Sequence, residues 1–125
     1  MQIEVWLYGD LALYAGAGAT PTYGHCLVDL PAGAAMRDLL AHLAIPAEKK
    51  GVTFINAVLA DMPGLGADRD HVLQDGDRVG IFSATHMWPF QYRFGVRMLP
   101  ELEAALRTRQ DGGLAHSYAS VKRNA

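Results

Sequence analysis

Gly112 and Gly113 follow a charged, apolar run and precede "LAHSYASVKRNA". Two residues without side chains let a backbone enter a narrow site and lie close to another molecule. If the second glycine carries a free carboxylate, such a pair is a chain end that can be activated. Within a chain, a glycine at this place is a helix stop in the left-handed conformation. Here the Gly113 carbonyl is held in an amide with Leu114, so the first use requires cleavage after Gly113.

The other reactive residue types form no constellation. His25, His42, His71, His86 and His116 show no ligand spacing and no H-x-x-x-H pair, so no metal site is expected. "ADRDHVLQDGD" carries four aspartates without the glycine and glutamate placement of a calcium loop, and reads as a solvated connection. "AGAGAT" lacks the Lys-Ser/Thr of a phosphate loop. Cys26 is the single cysteine, which excludes a disulfide framework, and a buried inert thiol is the expectation. No Ser/His/Asp grouping stands out. The expectation is a protein that is not itself an enzyme and binds no cofactor.

"HMWPFQYRFGVRM" places Trp88, Phe90, Tyr92 and Phe94 at alternate positions. Aromatic and Arg side chains dominate interface hot spots, so these four together with Phe82 are the candidate partner interface. The competing reading is that the segment folds back and covers the sheet.

The elements that must position these groups follow from periodicity. "QIEVWLYG" alternates Ile3, Val5 and Leu7 with Glu4, Trp6 and Tyr8, the period of a strand with one face buried. "LALYAGAGATPTYG" reads as a loop, and "HCLVDL" as a second strand with Cys26, Val28 and Leu30 on one side. In "PAGAAMRDLLAHLAIP", Met36, Leu39, Leu40 and Leu43 form a helical stripe that Pro46 is expected to end. "VTFINAVLAD" reads as one buried strand and "DRVGIFSAT" as another, with Val79 and Ile81 inward. "LPELEAALRTRQDGG" reads as a short helix with Pro100 at its first position, acidic residues early, Arg107 and Arg109 late, and Gly112 as its stop. Glu103 and Arg107 are spaced to pair.

At 125 residues the chain fits one domain. A net charge of −2 with interspersed signs argues against nucleic acid as partner. No run approaches the roughly 20 apolar residues of a membrane span. "MQIEVWLYGD" lacks the basic region of a secretory signal, so the cytoplasm is the expected compartment.

The strand-strand-helix-strand-strand order, "MRDLLAHL" as the helix and "LQDGDRVGIF" entering the last strand resemble the MoaD/ThiS family of ubiquitin-like sulfur carriers. The resemblance covers residues 1–86 and implies an α+β fold of the ubiquitin-like β-grasp type, a ββαββ mixed sheet over one helix. Residues 87–125 would be an aromatic segment and short helix appended to the same domain. It also implies a carrier function: a glycine carboxylate adenylated by an E1-like enzyme that consumes ATP, converted to a thiocarboxylate, and drained by a sulfur-accepting enzyme. The chain departs from that pattern. The family's terminal Gly-Gly would fall near Met87 and Trp88, and residues 89–125 lie beyond it. Two readings follow: a precursor cleaved after Gly113, or a non-carrier accessory subunit that binds a single partner enzyme through its aromatic extension.

Overall fold

The computed structural model describes residues 1–85 and 97–109. Its strands are β1 (Gln2–Tyr8), β2 (Tyr23–Asp29), β3 (Lys50–Ile55), β4 (Val58–Asp61) and β5 (Arg78–Ser83). Its two α-helices are α1 (Met36–Leu43) and α2 (Pro100–Arg109). The architecture is α+β. One five-stranded mixed sheet has the order β2-β1-β5-β3-β4, with β1 and β5 parallel at its centre and the other neighbours antiparallel.

Alternation in β1 and β5 sends Ile3, Val5, Leu7, Val79 and Ile81 to one face, where they pack with Met36 and Leu39 of α1 in the main core. Leu40 and Leu43 complete the helical stripe from its half-buried flank. The first turn of α1 is satisfied from outside the helix: Met36 N–H donates to the His71 carbonyl, and Arg37 N–H to that of Arg69. The Asp38 carboxylate accepts from Ala35 N–H at 2.8 Å. The helix stops at Ala44, which adopts the left-handed conformation with φ 62°, so its end precedes Pro46 rather than being imposed by it.

Two further expectations are corrected. "VTFINAVLAD" is not one strand but the hairpin of β3 and β4, turned at Asn56 and Ala57, whose φ angles are 51° and 68°. Consecutive positive φ angles are the geometry of a two-residue hairpin turn, and Asn56 Nδ2 anchors this one by donating to Asp77 Oδ1 at 2.8 Å. The first part of "LALYAGAGATPTYG", expected as loop, belongs to the 3-10 turns of Gly9–Gly18, which bury Leu11, Ala12 and Ala15. Gly24 of β2 lies against them so closely that a Cβ there would stand 2.5 Å from the Ala12 carbonyl oxygen.

The "QDGD" turn is clamped to β1. Gln2 N–H donates to Asp75 Oδ1 at 2.7 Å, Gly76 N–H to the Gln2 carbonyl, and Glu4 N–H to the Asp77 carbonyl. This clamp starts β5 in parallel register beside β1.

Beyond Thr85 the described chain resumes at Arg97, along the free edge of β4. Leu59 N–H donates to the Arg97 carbonyl, and Leu99 N–H donates to the Leu59 carbonyl. An edge strand exposes such unpaired groups, and this pairing covers part of the edge. Pro100 then opens α2 at the first helical position. Leu102 is fully buried with Val52 and Leu59 in a second cluster, against which Phe54, Phe82 and Leu106 also pack. Glu101 binds His71. Among the described residues no helix is long and apolar enough to cross a membrane.

Candidate functional site

The same alternation that fills the core builds the opposite face of the sheet. Glu4, Trp6 and Tyr8 of β1 point away from α1, as do Arg78, Gly80 and Phe82 of β5. Register sets their neighbours: Trp6 faces His25 on one side and Gly80 on the other, while Tyr8 faces Tyr23 and Phe82. Phe54 of β3 lies opposite Gly80 from the far side.

The rings form two clusters on this face. Trp6 lies 4.3 Å from the His25 ring and 5.8 Å from that of Tyr23. Tyr8 stacks on Phe82 at 4.6 Å and 19°, and Phe54 meets Phe82 edge-on at 6.4 Å and 73°. At the centre, Gly80 supplies no side chain, and the space between Trp6, Tyr8, Phe54 and Arg78 is a groove of about 330 Å³. Glu4 fixes the polar end. Its Oε2 accepts from Trp6 Nε1 at 3.3 Å and lies 2.8 Å from His25 Nε2. Leu27 is 58% exposed and Tyr23 40%, extending the apolar rim across β2.

Phe82, the one expected interface residue within the described chain, sits in this aromatic surface. Trp88, Phe90, Tyr92, Phe94, Gly112 and Gly113 lie outside the described residues. Trp6, Tyr8, Phe54, His25 and Arg78 were not expected at a site. The signal was present in the aromatic residues that alternate with Ile3, Val5 and Leu7, since the outward positions of a solvated strand are ordinarily polar.

Among the described residues no group of three or more His, Cys, Asp or Glu side chains is placed to hold a metal ion. The Cys26 thiol is half-buried, and burial pushes its pKa up, away from the reactive thiolate.

A second cluster lies apart from this face and corrects the reading of "ADRDHVLQDGD" as a solvated connection. Asp68 is buried, Asp77 is buried and bonded to Gln74 N–H and Asn56, and Asp61 just upstream is buried too. Asp61 and Asp68 converge on a buried Lys50.

No family model, no curated protein and no solved structure matches this chain.

Proposed function

We propose that this chain is a ubiquitin-like β-grasp protein acting as a non-catalytic accessory subunit, with a partner enzyme docked on the aromatic face of its sheet. The β-grasp assignment is supported by the parallel central pair β1 and β5 and by α1 packed across one face. The docking role is carried by one observation: Trp6, Tyr8 and Phe54 surround a groove floored by Gly80 on the face opposite α1, with Phe82 stacked on Tyr8 beside it. Tyr and Trp supply large contact area with few rotatable bonds, which is why they concentrate at binding hot spots. Arg78, exposed at the groove's rim, favours an aromatic or apolar side chain flanked by a carboxylate.

The carrier reading is less well supported by the path of the chain. Residues 97–99 pair with β4, and Leu102 and Leu106 pack in the second cluster, so α2 is held to the sheet as far as Leu106. Gly113 is seven residues farther on, a reach of at most about 25 Å. That is a short arm for threading an adenylating site.

The test places a photoreactive phenylalanine analogue at position 8 of the full chain in its own cells. One discrete adduct with a second polypeptide is expected. It should be absent when the analogue replaces the exposed Leu13 instead, and absent when Arg78→Glu accompanies position 8. Equal adducts at positions 8 and 13, or none at position 8, would overturn the docking role. A chain recovered ending at Gly113 and heavier by about 16 Da, sulfur for oxygen, would establish the carrier instead.

A further inference from the structure

Lys50 opens β3, Asp61 closes β4, and Asp68 follows in the connection to β5. Their side chains are 4%, 2% and 1% exposed. Lys50 Nζ lies 2.5 Å from Asp61 Oδ2 and 3.0 Å from Asp68 Oδ1. Ala67 N–H donates to the other Asp61 oxygen, Oδ1, at 2.8 Å. Asp68 Oδ2 is buried with no hydrogen-bond partner among the described residues. The three groups border a cleft of about 590 Å³ whose walls include Leu40, Ile45 and Leu65.

The composition of this cluster is costly to bury. Two carboxylates and one ammonium leave an excess negative charge in a dry site, where unpaired charge is costly. A carboxylate oxygen without a donor adds a further penalty. The excess charge is relieved if Asp68 holds a proton. Its pKa is raised, first by burial, and the neighbouring Asp61 charge adds to the rise while Lys50 opposes it. The remaining pair is then an amine and a carboxyl group in contact, with a backbone N–H on the oxygen that would carry charge during acyl transfer.

We propose that Lys50 and Asp61 are a self-modification site, where Nζ condenses with the Asp61 carboxyl carbon to form an intramolecular amide, and Asp68 relays the protons. Proton transfer across the 2.5 Å contact yields a neutral amine and a neutral Asp61 acid. The Nζ lone pair attacks Cγ, and the carbonyl electron pair moves onto Oδ1, where Ala67 N–H stabilises it. Asp68 gives its proton to the Oδ2 hydroxyl, which leaves as water when the carbonyl re-forms, and is reprotonated by the proton released from Nζ. One C–N bond forms and one C–O bond breaks. Asp68 is unchanged, nothing is oxidised or reduced, and the adjoining cleft receives the water. Holding the nucleophile against the electrophile in a closed site supplies the effective concentration that free amine and acid lack.

The bond would tie the start of β3 to the end of β4 across the hairpin, in the strand that also bears Phe54. Gly51 beside it permits this approach of β3 to β5, since a Cβ there would stand 2.5 Å from the Ser83 carbonyl oxygen.

The experiment is the intact mass of the full untagged chain after purification and ageing at neutral pH. The expected mass is about 18 Da below that of the sequence, with trypsin failing to cut after Lys50 and releasing residues 50–69 as one cyclised peptide about 18 Da light. Asp61→Asn makes ammonia the leaving group, so the expected deficit becomes about 17 Da. Lys50→Arg and Asp61→Ala should show the full sequence mass, and Asp68→Asn should slow the reaction at least tenfold. A folded wild-type chain that keeps the full sequence mass overturns the proposal. So does a deficit that persists in Lys50→Arg. The wild-type measurement decides even where a variant fails to fold, and it is independent of what binds the aromatic face.

Discussion

The Nδ1 atom of His71 lies 2.8 Å from Oε2 of Glu101, joining the connection before β5 to the first turn of α2. The same connection offers the His71 carbonyl to Met36 N–H. One residue therefore holds both helices.

The Glu101 carboxyl is held below its ordinary value, mainly by the hydrogen bond from His71. For an acid with a lowered folded pKa, the stabilisation is present above the unfolded value and lost as pH falls through the folded one. Glu101→Gln should cost about 0.5 kcal/mol near neutrality, and the difference from wild type should vanish at acid pH. Denaturant titrations at several pH values check both statements.

Asp68 has the opposite sign. Its folded pKa is raised, so its contribution is fully present below the ordinary aspartate value and lost as pH rises through the folded one. Wild type should weaken across that window while Asp68→Asn stays flatter. Comparing the two pH–stability curves decides it.

Leu102 is fully buried against Val52 and Leu59. Leu102→Ala should destabilise by about 2–4 kcal/mol, the range for a core leucine that leaves a cavity. Hydrogen exchange should also quicken at the amides of Leu59 and Leu99, which pair the edge of β4 with the segment before α2. Unchanged exchange there would mean that α2 contributes nothing to that edge.

Ala57 has φ 68°, a conformation that a Cβ disfavours. Ala57→Gly should stabilise the chain by about 0.5–1 kcal/mol, because Asn-Gly is the preferred pair for this hairpin turn. Thermal unfolding measures the gain.

Where the argument needed only neighbours in sequence, the residues themselves were sufficient. Ile3, Val5 and Leu7 alternate because a strand has a period of two, and Met36 and Leu39 share a face because a helix has a period of 3.6. Those periodicities predicted β1, β2, α1 and the inward side of β5, and Pro100 marked the start of α2. The hairpin turn at Asn56 and Ala57 escaped because apolar residues run through it, and positive φ at an alanine leaves no mark in composition.

The two candidate sites belong to tertiary structure. Gly80 makes a groove only because the parallel register of β1 with β5 sets it beside Trp6, and the antiparallel register of β3 sets it beside Phe54. Asp68 reads as part of a solvated connection along the chain, and nothing in the sequence joins it to Lys50 and Asp61. Folding the β3–β4 hairpin and the following connection over α1 brings them together away from water. Periodicity is local and survives in the sequence, whereas burial of a charge depends on which distant segments close over it.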